Sequence, residues 1–203
     1  MKTSALLPIA ILLTVLPLCG QVPANRPPGL APLEVALVYS TLRANTLPGG
    51  CDCFWMQGGK AEFRAAFSNK IGLVGEIAGH HARDINSARE DISLVSYLFG
   101  PRLSWRVHRL TPFAQALIGG VHGFDAIFPD PNNSTTVPDA FAMAAGGGMN
   151  IDLSRHLAVR PFQADFFRTD LPNNAANRQN SLRLGAGIVF KLSSPTSPQS
   201  YSR

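Results

Sequence analysis

Hydrophobic and polar residues alternate along most of the chain between residues 33 and 192, and the alternation is clearest in residues 59–67. Within this segment, Phe63 and Phe67 fall on one face of an extended chain. Lys60, Glu62 and Arg64 fall on the other face, because successive side chains of a β-strand point to opposite sides. The pattern therefore predicts a strand with one apolar face and one charged face.

Seven further segments alternate in the same way, although the fifth has the least clear polarity, so the sequence predicts eight strands. Their approximate bounds are residues 33–40, 59–67, 71–83, 92–107, 110–122, 141–152, 157–169 and 182–192. In the seventh segment, Arg160 is out of phase with Gln163 and Asp165. A β-bulge near Pro161 would bring the two halves of that strand into phase.

The connections between these segments alternate between long and short. In chain order they cover about residues 42–53, 68–70, 84–91, 108–109, 123–139, 154–156 and 170–180. Short periplasmic turns and longer extracellular loops are typical of outer-membrane barrels, and an even number of strands places both termini in the periplasm. The sequence thus predicts an all-β protein: an eight-stranded antiparallel up-and-down transmembrane β-barrel.

The N-terminal residues predict export. Lys2 precedes a short apolar run, and Gly20 is the small residue expected at the cleavage site of a secretory signal peptide. Lipid attachment at Cys19 is the alternative. The predicted organisation is a signal peptide in residues 1–20, a Pro-rich leader in 21–32, the barrel in 33–192 and a polar tail in 193–203. After the signal, no apolar run approaches the roughly 18 residues of a transmembrane helix, so any membrane span must consist of strands.

Charge adds little to this interpretation. The formal net charge is +5, but the Lys and Arg residues are dispersed along the chain rather than clustered. Because nucleic-acid binding requires a basic patch, and exported proteins seldom meet nucleic acid, no nucleic-acid partner is expected.

The last strand carries a motif, Gly187-Ile188-Val189-Phe190-Lys191-Leu192. It resembles the C-terminal assembly signal of the small OmpA/OmpX-like outer-membrane β-barrel family, with Gly187, Phe190 and Leu192 as the matching positions. In that family the signal usually closes the chain, whereas here a polar tail follows it. The resemblance covers about residues 33–192. It implies a location in the cell outer membrane, with outer-membrane lipid and the barrel-assembly machinery as partners.

An eight-stranded barrel is just wide enough for side chains to fill it. Buried charges must pair, so we expect a polar network that plugs the lumen. The predicted members are Lys60, Glu62, Arg64, Glu76, Arg102, Arg106, Gln115, Asp152, Asp165 and Arg183. The expected role is non-enzymatic, either structural or in surface interactions; a narrow ion-conducting, porin-like barrel is the alternative.

Two more alternatives remain open. A lipid-modifying hydrolase needs Ser, His and an acid, and candidates are present at His80, His81, His122, Ser93 and Ser96, but no fixed spacing connects them. The sequence predicts no catalytic residue, cofactor or metal site. A soluble periplasmic, lipocalin-like barrel that binds a ligand would have the two faces of each strand reversed.

The long connections supply the remaining predictions. Loops 42–53 and 123–139 would project from the cell and are candidates for contact with an extracellular partner. Cys51 and Cys53 are separated by one residue, and they could form a strained disulfide, bind a metal or stay reduced.

Overall fold

The structure is a computed structural model that describes residues 33–45, 53–68, 70–83, 91–124, 139–171 and 178–192. The predicted signal peptide, leader and tail lie outside these residues, as do Cys19 and Cys51. None of the described residues forms a helix that is long and apolar enough to cross a membrane.

Eight antiparallel strands form a closed barrel in which each strand pairs with its neighbours in the sequence and the last strand pairs with the first. The strands are β1 (Glu34–Asn45), β2 (Cys53–Ala66), β3 (Ile71–Ala82), β4 (Ile92–Ser104), β5 (Leu110–Phe124), β6 (Asp139–Asp152), β7 (Leu157–Thr169) and β8 (Gln179–Lys191). The predicted number, order and direction of strands are confirmed. Closure matters physically, because it pairs the backbone groups that an open sheet edge would leave unsatisfied in hydrocarbon.

The two ends of the barrel differ. We call the end at which β2–β3, β4–β5 and β6–β7 connect the short-turn end, and the opposite end the long-connection end. At the short-turn end, Val107 and Leu110 exchange two backbone hydrogen bonds of 2.8 and 2.9 Å around a two-residue turn. His108 in this turn has a φ of 57°, as the tight turns of β-hairpins require at their first central position.

Several strand ends differ from the prediction. β1 continues to Asn45 and β2 begins at Cys53, so this pair of strands extends well into the predicted loop 42–53. β4 ends at Ser104, three residues earlier than predicted. The predicted loop 123–139 is also shorter, because β5 continues to Phe124 and β6 begins at Asp139.

The outer surface of the barrel is apolar. Phe63 is 50% exposed and Tyr97 is 55% exposed, whereas Lys60 is 5% exposed and Glu62 is 1% exposed. A soluble barrel buries its apolar face and keeps its charges in water. The observed orientation is the reverse, so the lipocalin-like alternative is wrong for this fold.

The predicted bulge in β7 is present. Arg160 pairs with Gly187 of β8 and Gln163 pairs with Gly185, so three residue steps on β7 oppose two on β8. The extra residue lets Arg160 and Gln163 both point into the barrel, although their spacing of three would place them on opposite faces of a regular strand.

Candidate functional site

The middle of the lumen contains a connected set of polar side chains, which we call the polar band. Its members are Lys60, Glu62, Glu76, Arg102, Gln115, Asn150, Arg160, Gln163, Asp165 and Arg183, and all are buried. They come from seven of the eight strands. Nearly every strand therefore contributes to one network.

Glu62 is a centre of this network. Its carboxylate lies 2.5 Å from Arg102 Nη2, 2.6 Å from Arg160 Nη1 and 3.0 Å from Lys60 Nζ. Gln163 Nε2 donates a further hydrogen bond of 3.2 Å to Glu62 Oε1. Because carboxylate oxygens accept up to about four hydrogen bonds, Glu62 is close to saturated.

Glu76 and Asp165 form a second centre around Lys60 and Arg183. Lys60 Nζ lies 3.0 Å from Glu76 and 3.1 Å from Asp165. Arg183 reaches the same two carboxylates, with Nη1 2.7 Å from Glu76 Oε1 and Nη2 3.0 Å from Asp165 Oδ2. Lys60 contacts both centres and so joins them.

Amide side chains fill the remaining positions. Gln115 Oε1 accepts hydrogen bonds from Arg102, and its Nε2 donates to Asp165 Oδ1 at 3.3 Å. Asn150 Oδ1 accepts from Arg160 Nε at 2.9 Å. Amides are suited to these positions because they donate and accept without adding charge.

The polar band holds four cationic side chains against three carboxylates, which leaves a formal excess of one positive charge. Phe113 offsets part of this excess, because its ring lies 4.2 Å from the guanidinium carbon of Arg102 and 4.6 Å from that of Arg160. An aromatic face attracts a cation, and the attraction is strongest where water is excluded.

Glycines make room for these large side chains. A Cβ at Gly146 would lie 2.6 Å from Asp165 Oδ1, and one at Gly148 would lie 2.9 Å from the Phe113 ring. Real Cβ atoms do not approach other atoms so closely, so a larger residue would displace Asp165 of the polar band at position 146 or the neighbouring Phe113 at position 148.

The lumen near the long-connection end has a different composition. Most buried side chains in this part of the lumen are apolar. Together with a few apolar side chains nearer the short-turn end, they form what we call the apolar cluster. Its members are Leu42, Ala44, Met56, Val74, Ala82, Leu94, Leu98, Leu117, Val121, Ala142, Ala144, Phe167 and Leu171. Each is at most 7% exposed, so most of the buried side chains in that half of the barrel are hydrocarbon.

Three predicted lumen residues lie near the short-turn rim. Arg64 is buried there and pairs with Glu34 at 3.2 Å. Asp152 forms two ion pairs, in which its Oδ2 lies 2.6 Å from Arg106 Nη2 and its Oδ1 lies 2.5 Å from Lys191 Nζ. Arg106 itself is outside the lumen, with a side chain that is 55% exposed, because β4 ends two residues before it.

Sequence reasoning did not include Arg160, Gln163, Asn150 or Lys191 in the predicted network. Two signals were available for β7. Gln163 shares the phase of Asp165, and the bulge predicted near Pro161 brings Arg160 onto the same face.

No protein-family model matches the sequence, and no curated protein matches it. Among solved structures, the chain is similar to Neisserial surface protein A (NspA), at 11% identity and a TM-score of 0.58, over 78% of this chain and 96% of that one. It is similar to the outer membrane protein OprG from Pseudomonas aeruginosa at 11% identity and a TM-score of 0.57, over 82% and 98% of the two chains. The chain is also similar to Ail, the attachment invasion locus protein of Yersinia pestis, at 20% identity and a TM-score of 0.48, over 80% of this chain and 99% of that one.

The fold is that of the small OmpA/OmpX-like outer-membrane barrels. Transmembrane barrels have an apolar outer face that contacts lipid and a polar interior, and this chain has the same distribution of apolar and charged side chains.

The candidate hydrolase residues lie at separate places in the barrel. His80 points into the lumen, where its Nε2 lies 2.6 Å from Ser40 Oγ. Ser96 also points inward, and its Oγ has no hydrogen-bond partner within the described part of the chain. Both are buried, so a lipid substrate has no access to them.

His81 and Ser93 make the only contact between two of the candidate residues among the described parts of the barrel, and it lies on the outer face. His81 Nδ1 is 2.9 Å from Ser93 Oγ, while Arg83 Nε donates to His81 Nε2 at 3.3 Å. A catalytic triad needs an acid at the second ring nitrogen of its histidine, whereas that nitrogen of His81 faces the Arg83 guanidinium.

His122 is paired differently, with Asp139 Oδ1 2.6 Å from its Nδ1. No group of three or more residues able to hold a metal ion occurs among the described residues. Cys53 is the first residue of β2, and its predicted partner Cys51 lies outside the described residues.

The residues of the predicted assembly signal lie where the barrel closes. Gly187 pairs with Val38 of β1, and a Cβ at Gly187 would lie 2.7 Å from Val38 Cα. Phe190 and Leu192 are exposed on the outer face, and Leu192 N donates to Leu33 O at 2.8 Å. The final strand is thus fitted closely against the first.

Proposed function

We propose that the protein is a non-enzymatic integral outer-membrane barrel that conducts no ions and presents its long connections at the cell surface. The observation that carries this proposal is the buried interior: the charged side chains of the polar band are ion-paired, and most of the apolar cluster lies between them and the long-connection end. An ion crossing the barrel would have to displace hydrocarbon side chains and break buried ion pairs, and both steps are costly.

Two further observations support the proposal. Among the candidate hydrolase residues, His81 and Ser93 are hydrogen-bonded to each other, but the second ring nitrogen of His81 faces Arg83 rather than an acid. The rigid barrel also holds the connections after β1 and β5, which correspond to the predicted loops 42–53 and 123–139, at one end. Loops on a rigid scaffold commonly carry binding function, so a surface-interaction role is the function we assign to them.

Conductance of the refolded full chain in planar bilayers tests the closed lumen. We expect no stable, discrete current steps at high salt, because the polar band and the apolar cluster leave no continuous aqueous path. A shift in electrophoretic migration on heating, measured on the same sample, controls for correct folding of the barrel.

Stable steps from the heat-modifiable protein would overturn the closed-lumen proposal. Added protease tests the surface role in intact cells, where we expect cleavage within the long connections and protection of the strands. Cleavage only after the outer membrane is permeabilised would contradict presentation at the surface.

A further inference from the structure

The short-turn rim of the barrel is strongly basic. Its cations are Arg64, Lys70, Arg106, Arg109, Arg155 and Lys191, and all except Arg64 and Lys191 are exposed. The only carboxylates among the described residues at this end are Glu34, which pairs with Arg64, and Asp152, which pairs with Arg106 and Lys191. The rim therefore keeps a clear excess of positive charge.

The long-connection rim is different. The described residues there include three carboxylates, Asp91, Asp139 and Asp170, against four arginines, Arg43, Arg83, Arg168 and Arg178. Arg168 pairs with Asp170 at 3.4 Å. The connecting sequences at that end add mainly acidic residues, since they include Asp52, Asp84, Glu90, Asp125 and Asp130 against Arg89. The excess of cations is thus much larger at the short-turn end.

Apolar side chains alternate with the basic ones at the short-turn rim. Trp105 and Val107 flank Arg106, Leu110 follows Arg109, and Leu153 lies two residues before Arg155; all four apolar side chains are exposed. Aromatic and aliphatic side chains at the edge of the apolar belt lie at the membrane interface. Because the turns are short, their cations stay at the level of the lipid headgroups.

We propose that the short-turn rim binds anionic phospholipid headgroups in the leaflet that surrounds it. Long basic side chains can keep their carbon stems against the apolar belt while the charge reaches a phosphate. This inference rests on the proposed function, because it requires the barrel to lie in a membrane. Its ligand is a phosphodiester headgroup with net negative charge, such as that of phosphatidylglycerol.

Spin-label electron paramagnetic resonance tests the proposal with the full chain refolded in phosphatidylcholine vesicles. Trace spin-labelled phosphatidylglycerol or phosphatidylcholine is added, and the fraction immobilised by the protein is measured. We expect phosphatidylglycerol to associate about two- to fivefold more strongly than phosphatidylcholine at low salt. The ratio of the phosphatidylglycerol to the phosphatidylcholine association constant should fall towards one in high salt, because salt screens exposed charges.

Two triple variants separate the rims. In Lys70→Gln/Arg109→Gln/Arg155→Gln the ratio should fall close to one, and the ion pairs of Asp152 remain intact. The matched control, Arg43→Gln/Arg83→Gln/Arg168→Gln, removes three positive charges at the other rim and should keep the wild-type ratio.

Each failure has its own signature. If the barrel inserts but lacks this site, the wild type and both triple variants would immobilise lipid with equal selectivity. That result would overturn the inference and leave the proposed function standing. Equal loss of selectivity in both variants would also overturn it, because the preference would then follow net charge. No immobilised lipid from the wild type would overturn the proposed membrane function instead.

Discussion

The two halves of the lumen bury their side chains with opposite chemistry. The polar band places ion-paired charged groups in the middle of the barrel, whereas most buried side chains of the long-connection half are hydrocarbon. Charges depend on particular partners, because an unpaired buried charge is very costly. Packed hydrocarbon depends on volume and tolerates exchange of one apolar residue for another. The two halves should therefore respond oppositely to substitutions that conserve size.

Glu62→Gln should have the largest effect. The exchange preserves shape, but it removes the negative charge that faces Lys60, Arg102 and Arg160. We expect a loss of about 3 to 5 kcal/mol in the free energy of unfolding, as found when one partner of a buried ion pair is removed. Urea unfolding of the barrel in lipid vesicles, followed by the fluorescence of Trp55 and Trp105, measures the change.

A charge-matched double variant is the control for this prediction. Arg160→Met combined with Glu62→Gln restores the formal excess of one positive charge in the polar band. The double variant should lose about 1 to 3 kcal/mol less than the sum of the single variants, since the two residues share a contact. Additive losses would show that the band is a set of independent pairs, contrary to its connected geometry.

Leu117 tests the apolar half in the same assay. Leu117→Ala should cost about 3 kcal/mol because it leaves a cavity in a fully buried position. Leu117→Met conserves volume and should cost less than about 1.5 kcal/mol. If Leu117→Met were as destabilising as Glu62→Gln, the distinction between the two halves would fail.

The same contrast explains what the sequence could predict. Strand number, pairing order and the faces of β2, β3 and β4 were predictable because their lumen positions near the polar band are charged or polar and their outer positions are apolar. The alternation weakens wherever the apolar cluster begins. In β1, Leu42 and Ala44 point inward and Arg43 is exposed, so the usual polarity is reversed there and the segment was predicted to be a loop.

The fifth strand shows the same effect. Leu117 and Val121 are buried in the lumen while Ile118 is exposed on the outer face. Both faces are therefore apolar, and periodicity carries no signal about which one points inward. The partners within the polar band were unpredictable for another reason, since contacts such as the one between Glu62 and Arg160 span 98 residues and depend on the stagger of the closed barrel.

Phe113 gives the smallest and most discriminating test, because it is an apolar residue within the polar band. Its ring lies between Arg102 and Arg160, while Phe167 of the apolar cluster lies near one guanidinium only, that of Arg183 at 5.2 Å. Phe113→Leu and Phe167→Leu remove the same volume from two buried positions. We expect Phe113→Leu to cost about 1 kcal/mol more, which is the size of the additional cation–π attraction. Equal losses in urea unfolding would mean that Phe113 acts only by filling space, and that the ion pairs alone balance the charge of the polar band.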